Sequence, residues 1–285
     1  MATRVVLITG CSSGIGLETA LAFARRGDTT VASMRNLAKA DPLMKQAADE
    51  GLAIELVQLD VTDDTSVEAA VAEVERRHGA IDVLVNNAGV GYDGPIETID
   101  LERARGVLET NLWGPVRVTR AALPAMRERR SGVIITVTSV AGRVPGTPFQ
   151  GFYGASKSGM NALSEALCHE LEQFGIRVVC IEPGFFATEI VANADDDTQE
   201  LGPYAAEHQW VKTFFEKSIE AGSGAPGVVA DAIVAAADDP ATPLHVLVGD
   251  DAKGFVDLVT SLGSYEAWRP VAEEIVAGVS GPRPT

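Results

Sequence analysis

Short apolar runs rich in β-branched residues recur along this chain of 285 residues. They cover Val5 to Thr9, Thr29 to Ser33, Ile54 to Leu59, Val83 to Val85, Val133 to Thr138, Val178 to Ile181 and His245 to Val248. Between most of them the apolar positions follow the 3.6-residue period of a helix, over Ile15 to Arg26, Ser66 to His78, Arg103 to Arg129 and Ala155 to Phe174. Strand alternating with helix predicts a parallel sheet with helices on both faces. The strand runs are nearly all apolar, as strands buried on both sides require. Right-handed crossovers then give a single α/β domain over residues 1–285, a doubly wound, Rossmann-type, seven-stranded parallel sheet. Such sheets bind ligands at the carboxyl ends of their strands. Pro115 and Pro124 predict local distortion of the helix over 103–129.

The rhythm changes after residue 185. Residues 185–227 hold Phe185, Phe186, Trp210, Phe214 and Phe215, with the run Asp195, Asp196 and Asp197, and close on Gly- and Pro-rich sequence. An insertion of that length in a compact domain predicts a helical lid over the substrate. A helical extension follows over 252–279, and Ser280 to Thr285 read as a frayed tail.

Composition narrows the partners. Hydrophobic residues make up 46% of the chain, enough for a large core and too many for wholesale disorder. The net charge of -17 opposes nucleic acid and anionic membranes as partners. No apolar run reaches the ~20 residues of a membrane span. No targeting segment is expected, because Met1 to Arg4 lead straight into the short run Val5 to Ile8. Cys11, Cys168 and Cys180 are odd in number and lack metal-ligand spacing. A reduced, cytoplasmic protein without a metal is the expectation.

The first strand runs into Thr9-Gly10-Cys11-Ser12-Ser13-Gly14-Ile15-Gly16 and then a helix. Glycine turns sharply and admits a ligand closely. The helix start offers N–H groups and a positive dipole end to a pyrophosphate. A Gly-rich turn alone is weak, but its place between strand and helix points to a dinucleotide.

Downstream, Tyr153 and Lys157 lie four apart on one helix face and can reach one site. Ser139 ends the fifth strand and Asn86-Asn87-Ala88-Gly89 ends the fourth. Pro183-Gly184 follows the sixth, with Thr188 just beyond, and Asn111 falls within a helix. In order and spacing this set resembles the short-chain dehydrogenase/reductase family, from Arg4 to about Gly254. Within it, residues Thr9 to Gly16 with Ser139-Val140-Ala141-Gly142 are similar to the branch of 17β-hydroxysteroid dehydrogenases and related bacterial ketone reductases.

The resemblance implies hydride transfer between a nicotinamide cofactor and a carbonyl or alcohol carbon. Tyr153 would be the general acid or base, Ser139 would hold the substrate oxygen, and Lys157 would also bind the nicotinamide ribose. A Lys157 ammonium close to the phenol would favour tyrosinate by ~3–4 kcal/mol at an effective dielectric of ~20. Asn111 would support a water that links the lysine to solvent. Asn87, Ala88, Gly89, Pro183, Gly184 and Thr188 would border the cofactor.

At the end of the second strand, Met34 stands where an NAD binder carries an acid, and Arg35 follows, with Lys39 four residues on. An arginine pairs with a 2′-phosphate that a carboxylate would repel. Residues 1–40 are a basic island in an acidic chain, with Arg4, Arg25, Arg26, Arg35 and Lys39 against Glu18 and Asp28. NADP(H) is therefore expected over NAD(H). Asp60-Val61 would lie by the adenine, and Ser12 and Ser13 could bond phosphate oxygens. Cys11 lies in the same loop, where its oxidation could block the cofactor.

Val90, Tyr92, Pro145, Phe149, Phe185, Phe186, Trp210, Phe214 and Phe215 are the expected walls for a small hydrophobic alcohol or ketone, neutral and possibly cyclic or steroid-like. Asp195, Asp196, Asp197, Glu200 and Glu207 at the entrance would disfavour anionic substrates. A homodimer or homotetramer is implied by the resemblance. The rival readings are an NAD-dependent alcohol dehydrogenase and a non-catalytic NADP(H) sensor.

Overall fold

The computed structural model describes residues 3–186, 201–222 and 224–285. Seven parallel strands form one sheet in the order β3-β2-β1-β4-β5-β6-β7. They are β1 Val5–Ile8, β2 Thr29–Met34, β3 Ile54–Gln58, β4 Val83–Asn86, β5 Gly132–Val137, β6 Ile176–Pro183 and β7 His245–Val248. The helices of the crossovers are α1 Gly14–Arg25, α2 Asp41–Asp49, α3 Asp64–His78, α4 Leu101–Leu108, α5 Gly114–Arg129 and α6 Gly151–Glu172. Beyond β6 lie α7 Ala205–Gly222 and α8 Pro226–Asp238, and beyond β7 lie α9 Asp250–Leu262 and α10 Tyr265–Ser280.

The apolar strand runs have the predicted cause. Val6 and Ile8 of β1 enter a core shared with α1 and α8, whose Leu17, Leu21 and Ile233 are buried there. Val5 and Leu7 point the other way, into a core with Val67 and Val71 of α3 and Val118 and Met126 of α5. Successive residues face opposite sides of a strand, so a strand covered on both sides must be apolar throughout. Each fully buried Leu or Ile contributes ~1.5–3 kcal/mol. The strand order reverses between β1 and β4, which opens a crevice at their carboxyl ends.

The expected distortion in the 103–129 helix is a π-helical turn over Glu109–Trp113, just before Pro115. Pro115 has no N–H for the i→i−4 ladder. Gly114 lets the chain approach β3's loop, where a Cβ would meet Val61 at 2.9 Å. The helix runs on through Pro124.

The C-terminal tail differs from its expectation. Gly281 O accepts a hydrogen bond from Trp210 Nε1 at 2.7 Å. Arg283 pairs with Glu207 of α7 and, at 3.1 Å, with Glu273 of α10. The tail is tied to two helices.

Candidate active site

The phosphate loop is built by close packing. Gly10 has φ +75°, and a Cβ there would lie 2.8 Å from Ala88 Cα. A Cβ on Gly16 would lie 2.3 Å from Gly10 O and 2.4 Å from Asn87 Nδ2. Asn87 Nδ2 donates to Thr9 O at 2.9 Å and Gly10 O at 3.1 Å. Thr9 Oγ1 accepts from the N–H groups of Asn87 and Ala88, both at 3.0 Å. Loop and Asn87-Ala88-Gly89 element are thus one locked unit, and two of its glycines serve that lock.

A cavity of about 1050 Å³ runs along this unit. Gly10, Ser12, Ser13, Gly14, Ile15 and Gly16 line it, with Met34, Arg35 and Lys39 at one end. Asp60, Val61, Asn87, Ala88, Gly89, Pro183 and Gly184 complete the cofactor half. Arg35 and Lys39 are exposed and have no ion-pair partner among the described residues. Asp60 is turned to Thr62, whose N–H and hydroxyl it accepts at 3.0 and 2.7 Å. These residues fit a dinucleotide, because the backbone cradle, the helix start and two unpaired cations share one cavity. Thr188 and the acids Asp195, Asp196, Asp197 and Glu200 lie outside the described residues.

Cys11 does not line this cavity. It is fully buried, its thiol bonds Ile8 O at 3.3 Å, and burial pushes it up to about 12. The oxidation expected there has neither a thiolate nor access.

Ser139, Tyr153 and Lys157 come together in the same cavity. Ser139 lies past β5 and its Oγ accepts from Ala141 N at 3.1 Å, capping a 3-10 turn over Val140–Gly142. It also hydrogen-bonds Tyr153. Burial pushes the Tyr153 phenol up and the Ser139 bond draws it down. Lys157, expected to lower it, does not contribute. Lys157 Nζ sits 5.7 Å from the phenol ring centroid and donates to Val137 O at 3.0 Å. Burial lowers Lys157 to about 8.

Asn111 is buried in the π-helical turn. Its side chain is spent on the backbone. Oδ1 accepts from Val90 N at 2.8 Å, and Nδ2 donates to Val90 O at 2.9 Å and Ser156 Oγ at 3.2 Å. Ser156 Oγ in turn donates to Tyr153 O at 2.7 Å. The amide therefore fixes the wall at Val90 and the first turn of α6.

Beyond Tyr153 the walls are Val90, Tyr92, Pro145, Phe185, Phe186, Phe214 and Phe215, with Lys212, Glu216 and Glu220 of α7 beside them. Phe185 meets Phe214, Phe215 and Phe255 edge to face at 5.8, 5.7 and 6.0 Å. Asp251 of α9 accepts the Phe185 N–H at 2.5 Å and sets this strand end. Two expected wall residues lie elsewhere. Trp210 is buried and aims its indole N–H at Gly281. Phe149, at φ +64°, packs its ring on His208 at 5.1 Å. Sequence reasoning missed Phe255, Trp268, Ala272, Ile275 and Val276, which also line the cavity. The last four repeat at i, i+4, i+7 and i+8, a helical stripe that was there to be found.

Among the described residues no cluster of three or more His, Cys, Asp or Glu could hold a metal, and no helix is long and apolar enough to cross a membrane.

Known proteins agree with this geometry. A family model for short chain dehydrogenase matches residues 4–199. Retinol dehydrogenase 8 of Bos taurus is 44% identical over 192 residues, 66% of this chain and 61% of its own length. Estradiol 17-beta-dehydrogenase 1 of Rattus norvegicus is 42% identical over 190 residues, 65% of this chain and 54% of its own length. This chain thus spans less than two thirds of either relative. A solved short-chain dehydrogenase from Streptomyces avermitilis has a TM-score of 0.80 at 34% identity, over 95% of this chain and 97% of that one. With the family model covering residues 4–199 and a solved relative alike over nearly the whole length, the chain belongs to the short-chain dehydrogenase family.

Proposed function

We propose that this protein is an NADP(H)-dependent oxidoreductase that interconverts a secondary alcohol and a ketone on a neutral, hydrophobic substrate. The observation that carries the reading is one cavity with three chemistries in sequence: cations at Arg35 and Lys39, a hydroxyl pair at Ser139 and Tyr153, and an aromatic wall at Phe185, Phe214 and Phe215. The relatives named for retinol and estradiol support an apolar alcohol as substrate.

NADP(H) held by the loop from Gly10 to Gly16 with Arg35 and Lys39 would supply the hydride in reduction and accept it in oxidation. In reduction the Tyr153 hydroxyl gives its proton to the carbonyl oxygen, and in oxidation the tyrosinate takes the proton of the alcohol. Ser139 holds that oxygen beside the phenol and, by its bond to Tyr153, favours the tyrosinate. Lys157, lowered to about 8, exchanges protons near neutral pH and so can reprotonate Tyr153. The aromatic wall keeps water from the reacting carbon.

Exposed Leu101, Trp113 and Leu163 on α4 to α6 support a homo-oligomer as the assembly.

The test is a titration with NADPH and NADH, followed by loss of NADPH absorbance against neutral ketones. Tighter NADPH binding with turnover is the expected result. Tighter NADH binding overturns the cofactor assignment. Tight NADPH binding without turnover on a broad panel makes the protein a binding protein for NADP(H).

A further inference from the structure

The family match ends at residue 199, yet a helix some seventy residues further on faces the same cavity as Tyr153. Trp268, Ala272, Ile275 and Val276 form one stripe of α10, and all four line the cavity. Ala272, Ile275 and Val276 are only half-buried. An apolar stripe normally meets a core. This one borders the cavity that Phe185 and Phe214 also line.

The helix is docked at both ends. At its start, Ser264 Oγ caps it by accepting from Ala267 N at 3.2 Å, and Trp268 Nε1 donates to Pro145 O at 2.9 Å. Pro145 belongs to the segment that begins at Ser139. Tyr265 packs on the next residue, where a Cβ at Gly146 would lie 2.7 Å from its ring. At its end, Lys217 Nζ of α7 donates to Val279 O at 3.0 Å, beside the Trp210–Gly281 and Arg283–Glu207 contacts. The wall is thus held rigidly against both the catalytic segment and α7.

We propose that this face of α10 is the wall that selects the substrate by size, with Ala272 as the position that sets the limit. The inference rests on the redox reading of the site and deepens it: the substrate is a neutral, multi-ring or long-chain ketone or alcohol whose apolar body lies along α10. Ala272 is the smallest side chain on the stripe, flanked by Trp268 one turn before and Val276 one turn after. An indole at 272 would fill space that the substrate body needs, whereas trimming Ile275 would add space.

The experiment uses the full chain. Binding of the neutral apolar dye Nile red to the chain loaded with NADP+ is followed by fluorescence, and kcat/KM for reduction of estrone and of cyclohexanone is measured with NADPH. Ala272→Trp is expected to weaken dye binding at least ten-fold and to lower the estrone-to-cyclohexanone ratio of kcat/KM at least ten-fold, with the Kd for NADPH within three-fold of wild type. Ile275→Ala is expected to raise that ratio at least three-fold, which keeps the test decisive if Ala272→Trp fails to fold. Equal dye affinity in wild type and Ala272→Trp, no dye binding to wild type, or a ratio that neither variant moves overturns the proposal. A wild type that binds dye, loses it on Ala272→Trp and reduces no ketone keeps the wall and overturns the redox reading alone.

Discussion

His208 Nε2 lies 3.1 Å from Asp93 Oδ2, which joins α7 to the loop that follows β4. His208 is buried and Asp93 partly so, and Asp93 Oδ1 has no hydrogen-bond partner among the described residues. Removing one partner of a buried polar pair costs more than the pair contributes, because the other stays desolvated. His208→Ala is therefore expected to lower stability by about 1–3 kcal/mol. Urea unfolding checks this, and adding Asp93→Ala should recover part of the loss. A double variant as unstable as the sum of the singles would show that the two do not interact.

Lys157 ties stability to pH. Its folded value of about 8 lies below its ordinary 10.5. Between those values the unfolded chain holds a proton that the folded chain has released, so stability rises with pH. Below pH 8 the buried ammonium lowers stability by its full amount, about 3 kcal/mol. Lys157→Met removes this dependence. Its stability advantage over wild type should shrink by up to ~3 kcal/mol from pH 8 to pH 10.5. A difference that stays constant across that window refutes the buried cation.

Tyr153→Phe removes the hydroxyl and keeps the ring. Turnover should fall on the order of 10²- to 10⁴-fold, the usual worth of a positioned acid. NADPH affinity measured by fluorescence should stay within a few-fold. Turnover at a comparable rate would take the acid role from Tyr153.

Arg35 and Lys39 face the cofactor half without ion-pair partners among the described residues. A charge-assisted bond to a 2′-phosphate contributes ~1.5–3 kcal/mol. Arg35→Ala should weaken NADPH roughly 10- to 100-fold and leave NADH nearly unchanged. Equal losses for both would place Arg35 on a phosphate that the two cofactors share.

The three cysteines separate by burial. Cys11 and Cys180 are pushed up to about 12, while Cys168 is half-buried. Iodoacetamide at pH 8 should label the native chain at Cys168 alone, as read by peptide mass spectrometry. An adduct at Cys11 would mean that the first loop opens.

Much of this was legible in the sequence. The strand runs were visible because a strand covered on both faces can carry little but apolar residues, as Val5 to Ile8 do. Tyr153 and Lys157 were visible because four residues make one helical turn. What escaped depended on tertiary placement. Trp268 to Val276 declare an amphipathic helix, but nothing local says whether its stripe meets a core or a cavity. Trp210 counted as a wall because it is aromatic, yet its indole N–H needed an acceptor and found Gly281. Asn111 was singled out by the resemblance, but that its amide grips both polar groups of Val90 follows only from the fold. The tail was misread because Arg283 has no partner nearby in sequence apart from Glu273, and Glu207 comes from a distant helix.

That tail bears on how the protein is best handled. Arg283 and Gly281 hold α7 and α10 together within a few residues of Thr285. An affinity tag fused after Thr285 would sit beside contacts that join α7 to α10, two helices that both line the cavity, so a tag at the amino terminus leaves them undisturbed.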